Sequence, residues 1–279
     1  MVNPTPAALV MLLGGLMLPT GPVPQAATPL LSRCRYGTRA DTVRVLPGQL
    51  REISGLAFHR GVLLSHDDEL GRIYTIDPAT GAVGIFATLR GSVHEDFEGI
   101  AVLGDTVWLM TSTGRLYGVK AAASTTPVPY VVRHTGLGKR CELEGLAADQ
   151  ASGVLLLPCK TLGKNGKGVV VYRWQVSQGT AATPASFTVS PSALKKAGSP
   201  ALRPSAIEVV PGGSGVLVLS VSPSALLELD AAGAPVGYLK LSRHAQAEGL
   251  AIAANGDLFI SDEGGNGAGL LSVYRCRAK

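Results

Sequence analysis

From residue 50 onward the chain alternates short apolar, β-branched stretches with breaks at Gly, Asp and Pro. That is the pattern of strands joined by tight turns, and it lacks the 3.6-residue apolar period a helical repeat would need. One phrase recurs as SGLAF (54–58), EGIAV (98–102), EGLAA (144–148), SAIEV (205–209) and EGLAI (248–252), at offsets of 44, 46, 61 and 43 residues. After each phrase come a turn and a β-rich run: GVLLSHDD, TVWLMTS, GVLLLPCK, GVLVLSV and GDLFISDE. A further strand then follows, as GRIYTID, GRLYGVK, GVVVYRW, ALLELD and GLLSVYR. AVGIFATL, PYVVRHT, SFTVS and PVGYLKL give the first four units an outer strand. Units of about 40 to 50 residues with four short strands are propeller blades. The long third offset is absorbed by the Ser/Ala/Pro/Lys-rich segment 177–204, which is too short for another blade. The expected fold is therefore all-β, a five-bladed β-propeller of four-stranded blades, with five blades favoured over six.

The fifth unit ends after three strands, and an unfilled sheet edge is a liability. The segment Arg35–Leu46 is the spare strand, so the N-terminal strand is expected to close the ring. Four cysteines allow three pairings in principle. The strand order selects two pairs. Cys34, expected to begin the closing strand, meets Cys276 at the end of the last one. Cys141 and Cys159 flank successive strands of the third blade.

A hydrophobic fraction of 46% against 16% charged residues is enough to build a large core and argues against disorder. The net charge of +5 is scattered and aromatic residues are only 5%. No basic stripe carries the interleaved aromatics that nucleic acid requires. Residues 7–18, AALVMLLGGLML, form an apolar run shorter than the roughly 20 residues that span a bilayer. The run reads as the core of a signal peptide, although no Lys or Arg precedes it. This assigns residues 1–27 to a signal peptide and 28–279 to one propeller domain, secreted or periplasmic, with no transmembrane segment in the mature chain. An even cysteine count suits an oxidising compartment.

In a propeller the innermost strand of every blade lines the central channel, so equivalent repeat positions converge on one axis. The first letters of the five phrases are Ser54, Glu98, Glu144, Ser205 and Glu248. Three carboxylates brought together raise one another's pKa, and a ring of oxygen donors suits a hard cation such as Ca2+. The alternative is a water-filled channel with partly protonated glutamates. Two acidic clusters, His66-Asp67-Asp68-Glu69 and Asp262-Glu263-Gly264-Gly265-Asn266, fall after the second strand of their blades, on the same rim. Lys160, Lys164 and Lys167 fill the equivalent loop of the third blade. Such a rim is a place for a small-molecule or protein ligand, while turn chemistry alone also favours Asp, Asn and Gly there. No GxSxG elbow, HExxH pair, phosphate loop or CxxC zinc spacing is present, and the five histidines have no ligand spacing. DEGGNG only partly mimics a calcium-binding EF-hand loop.

The phrases EISGLA, DFEGIA, ELEGLA, SAIEVV and AEGLA with FISDEGG, in that order, resemble the SdiA-regulated family of bacterial exported propellers across roughly residues 50–275. More distantly, the order Ser54, Glu98, Glu144, Ser205, Glu248 is similar to the channel ring of calcium-activated nucleotidases, five-bladed propellers with a central calcium. The stretch SHDDELGRIYTID (65–77) also resembles an early blade of that family. This likeness implies a metal on the ring. It does not extend to that family's nucleotide-binding and catalytic segments.

The sequence reading is thus a calcium-binding recognition propeller. The alternative is a calcium-dependent hydrolase of phosphate esters, nucleotides or lactones with Asp67, Asp68 or Asp262 as base. Protein recovered from the periplasm or medium should begin near Thr28 by intact-mass spectrometry. Full-length chain confined to the cytoplasm, with four free thiols, would refute the export reading.

Overall fold

The computed structural model describes residue 1 and residues 28–162, 168–177, 185–199, 201–212 and 215–278. The rest of the leader assigned to residues 1–27, together with Lys164 and Lys167, lies outside them. The chain enters through a short helix, α1 (Leu30–Cys34), and a strand, β1 (Thr42–Val45). The first blade is β2 (Ile53–His59), β3 (Val62–Asp67), β4 (Arg72–Ile76) and β5 (Val83–Thr88). The second is β6 (Phe97–Leu103), β7 (Thr106–Thr111), β8 (Arg115–Lys120) and β9 (Val131–His134). In the third, the inner strand is split into β10 (Cys141–Leu143) and β11 (Ala147–Asp149), both paired with β12 (Val154–Leu162), and followed by β13 (Val169–Gln175) and β14 (Ala185–Val189). Helix α2 (Pro191–Ala197) then takes up part of the long third offset. The fourth blade is β15 (Arg203–Val209), β16 (Gly215–Ser222), β17 (Ala225–Asp230) and β18 (Pro235–Lys240). The fifth is β19 (Ala247–Ile252), β20 (Leu258–Asp262) and β21 (Leu270–Tyr274), completed by β1, which runs antiparallel to β21 with Thr42 opposite Val273.

Five sheets, each antiparallel, make a five-bladed β-propeller. The inner strands are neighbours in the closed cycle β2, β6, β11, β15, β19 and back to β2. Each sheet is apolar on both faces because each lies between two others. Along β12, Leu155 and Leu157 enter the core shared with the second blade, while Val154 and Leu156 enter the core shared with the fourth. Five such apolar cores fill the five junctions. At the inner strands the blades come so close that the repeat demands glycine. Gly145 has φ +86°, and a Cβ there would lie 2.6 Å from the Cα of Ala206 in the next blade.

Both expected disulfides are present, Cys34–Cys276 and Cys141–Cys159. One detail differs from expectation. Cys34 ends helix α1 rather than beginning the closing strand, which starts only at Thr42. The reason lies in the fourth blade. The buried carboxylate of Glu228 on β17 accepts hydrogen bonds from the N–H groups of Leu30 (2.5 Å) and Leu31 (2.8 Å). It satisfies two of the free donors at the helix start, and Leu30 is fully buried beside it.

The Cys34–Cys276 bridge closes a loop of 242 residues, for which chain entropy alone gives on the order of 5 kcal/mol. The double Cys34→Ser, Cys276→Ser variant should lose roughly 2–5 kcal/mol in denaturant unfolding. It should lose more than the variant lacking Cys141–Cys159, whose separation is only 18 residues. An equal or smaller loss would show that the ring is held shut without its covalent closure.

Candidate functional site

Each of the five repeat positions that sequence placed on the axis sits at an irregularity of its inner strand. The pairing register slips between Ile53 and Leu56, between Phe97 and Gly99, between Pro204 and Ala206, and between Ala247 and Gly249. These slips bracket Ser54, Glu98, Ser205 and Glu248. Glu144 falls in the break between β10 and β11. An extra residue in one strand of a pair bends that strand and re-aims its side chain, so four bulges and one strand break turn five side chains away from the ladder. In the first blade the bulge is held by a buried neutral histidine. The N–H of Gly55 donates to Nε2 of His66 at 3.2 Å, and Nδ1 of His66 lies 2.9 Å from the carbonyl of Asp67. Burial pushes that imidazole down to about 4, so it stays uncharged at neutral pH.

Ser54, Glu144 and Ser205 are at most 1% exposed, and Glu98 and Glu248 are half-buried. Among the described residues, Ser54 Oγ, Ser205 Oγ and Glu144 Oε1 are buried without a hydrogen-bond partner. The three carboxylates sense one another. Burial, then the charge of Glu144, pushes Glu98 up to about 9. Burial, then the charges of Glu144 and Glu263, pushes Glu248 up to about 8. Burial raises Glu144 only to about 7, because Lys160 opposes it.

Lys160 is the residue that sequence reasoning misplaced. Read as part of a basic loop, it instead lies within β12, two residues before its end, with its ammonium on Glu144 Oε2 and only 20% exposed. Burial works against its charge, but the bond to Glu144 and the fields of Glu144, Glu98 and Glu248 outweigh that and raise its pKa. Its repeat equivalents, one position beyond the partner of each inner strand, include Asp68 and Glu263. Both of these acids add to the field on Glu248. The ring therefore has a second tier above it, in which one blade contributes a cation and two contribute anions. Among the described residues, no group of three or more His, Cys, Asp or Glu side chains stands close enough together to hold a metal ion.

The three candidate bases are not equivalent. Asp67 is buried, and its Oδ1 accepts from the N–H groups of Glu69 (3.1 Å) and Leu70 (2.6 Å), which shapes its own turn. Asp262 is buried and bound through Oδ2 to Nδ1 of His244 at 2.6 Å, whose Nε2 lies 2.6 Å from the hydroxyl of Tyr274. Both are committed to local architecture. Asp68 keeps partial exposure, and burial together with Glu52 pushes it up to about 6.

Fold and site together define a five-bladed propeller whose channel carries a carboxylate-rich ring. The chain belongs to the SdiA-regulated family, which it matches over residues 31–266. No curated protein matches it in sequence. Among solved structures it is similar to the glutaminyl cyclase of Myxococcus xanthus, with a TM-score of 0.57 and 16% identity over 85% of this chain and 95% of that one. It also overlaps the PQQ-bound aldose sugar dehydrogenase of Streptomyces coelicolor, with a TM-score of 0.49 and 13% identity over 84% of this chain and 98% of that one. The first of these likenesses shows the fold alone.

The raised carboxyls give the ring a definite pH response. Folded, Glu98, Glu144 and Glu248 hold protons that an unfolded chain releases near the ordinary value of 4.5. Their contribution to stability is complete below that value and is lost as pH rises through about 7 to 9. In chelating buffer the melting temperature should therefore fall between pH 6 and pH 9, and Glu98→Gln should flatten the slope. Parallel profiles for wild type and variant would mean that Glu98 is ionised throughout.

Proposed function

We propose that the chain is an exported recognition propeller whose ring takes one Ca2+ ion on Ser54, Glu98, Glu144, Ser205 and Glu248. The observation that carries this reading is the trio of buried oxygens, from three different blades, that have no hydrogen-bond partner among the described residues. Buried polar atoms are nearly always satisfied, and a set left open at one repeat position calls for a ligand. The donor chemistry suits calcium, since every ring side chain offers oxygen and a hard cation accepts six to eight. The charge suits it too. With their protons released, three carboxylates against the single ammonium of Lys160 carry two net negative charges, which one Ca2+ would balance. Such an ion would neutralise the ring and tie the five inner strands together. Holding it requires Lys160 to release Glu144 and the three carboxylates to draw closer together than they stand in the free ring, so the ammonium acts as a competitor for the site.

Export is supported by the pairing of all four cysteines and by the apolar run at residues 7–18. Among the described residues no helix is long and apolar enough to cross a membrane. A recognition role is favoured over hydrolysis because two of the three candidate bases are occupied structurally, leaving Asp68 alone on the rim. The ligand at that rim would be a small molecule or a protein segment.

Added Ca2+ should raise the melting temperature, corresponding to about 2.7 kcal/mol at a free concentration 100-fold above its dissociation constant. Glu144→Gln should shrink that gain while the propeller stays folded. Lys160→Met, which removes the competing ammonium, should tighten binding in calorimetry. If calcium moves neither wild type nor Lys160→Met, or moves wild type and Glu144→Gln equally, the ring is not a calcium site.

A further inference from the structure

At the other end of the inner strands the repeat breaks in a single blade. Three residues beyond each ring position the chain carries Ala57, Ala101, Ala147 and Ala251, but in the fourth blade it carries Glu208. The four alanines are buried in the junctions between blades. Glu208 instead lines a cavity of about 310 Å³, together with Ala57, Phe58, Val102, Ala148 and Val209. Four blades thus contribute their strand ends to this mouth. Its walls are mostly apolar, interrupted by Asp149 and Gln150, with Phe58 half-buried and stacked on Phe259 at 6.0 Å between ring centroids.

Glu208 is poorly provided for. Its one hydrogen bond among the described residues comes from the N–H of Val209, at 2.8 Å. It forms no ion pair among them, and the other acid of this mouth, Asp149, has already taken Arg173 at 3.2 Å. Burial, with no cation nearby to offset it, pushes the Glu208 carboxyl up to about 8. A carboxyl in such surroundings is costly to the free protein and marks a place where a partner would be bound strongly. Four blades do without it, so the repeat itself has no need of an acid here.

We propose that this mouth, opposite the ring, is a second binding site for a small amphipathic ammonium compound whose cationic head pairs with Glu208 and whose apolar body lies against Phe58, Val102 and Val209. One carboxylate without a cation partner, among mostly hydrocarbon walls, is a poor site for a hard metal ion, which wants many oxygens, and a good one for an organic cation. The cavity has the volume of about ten water molecules, which sets the ligand at about ten non-hydrogen atoms, the size of an arylalkyl or alkyl amine.

Phenethylamine is the probe, titrated by calorimetry into the full mature chain in chelating buffer so that the ring contributes nothing. Saturable binding is expected. Phenethyl alcohol, which lacks the charge, and hydrocinnamate, which reverses it, should bind roughly tenfold or more weakly. Glu208→Gln should weaken the amine by a similar factor, and Val102→Trp, which fills the mouth with Glu208 in place, should abolish binding. Glu144→Gln, on the ring, should leave it unchanged. Glu208→Ala, which restores the residue of the other four blades, serves as a second variant; it should fold and fail to bind. The proposal is overturned if the amine does not bind, if the alcohol or acid binds as tightly, or if the Glu208 variants bind the amine like wild type.

Discussion

Every blade of this propeller must bury two faces, and only closing the ring allows that. A sheet at the end of an open stack would expose the Leu- and Val-rich face that its neighbour should cover, at about 25 cal/mol for each Å² left in water. Closure is therefore not a finishing touch. It lets β12 place Leu155 and Leu156 in two different cores, and it fixes the radius at which the inner strands meet. At that radius there is no room for side chains beyond glycine or alanine at the position after each ring residue, as the contact of Gly145 with Ala206 makes plain.

The same constraint creates the chemistry. Once five inner strands are packed around one axis, whatever follows the bulge in each is forced into a space shared with four others. Glutamate in three of the five places is then a standing electrostatic problem. The fold meets it in part by reaching in with Lys160, and in part by holding protons that free carboxylates would release. The two ends of the channel differ in kind. One gathers oxygen donors from every blade, while the other gathers mostly hydrocarbon around a single acid that has no cation partner among the described residues.

Much of this was legible in the amino-acid order because the repeat makes position meaningful. The spacing of SGLAF and its four relatives gave the blade count, the inner strands and the ring residues, and the missing twentieth strand pointed to the N-terminal segment and so to the disulfide pairing. What was not legible depends on where long or distant side chains end up. Lys160 looks like a loop lysine until the strand pairing shows it one step beyond the partner of Leu143. Helix α1 is too short to leave a periodic signature, and its capping residue, Glu228, lies 198 residues away. The split inner strand of the third blade could not be foreseen, since EGLAA reads like its relatives. Glu208 is different. It is the one acid among four alanines at a repeat position, a signal the reading of the repeat passed over and only the cavity brought out.

The two disulfides are nested, with Cys141–Cys159 inside Cys34–Cys276. A chain made from its N-terminus presents Cys34 first of the four cysteines and Cys276 last. At synthesis rates of about 5–20 residues per second the first thiol waits on the order of tens of seconds for its partner. During that wait Cys141 is the next thiol to arrive, and joining cysteines in order of appearance would trap the wrong pair. The hairpin that sets β10 against β12 removes this competitor, because it delivers Cys159 to Cys141 after only 18 residues. Timely folding of the third blade is thus what keeps the first cysteine available for the last.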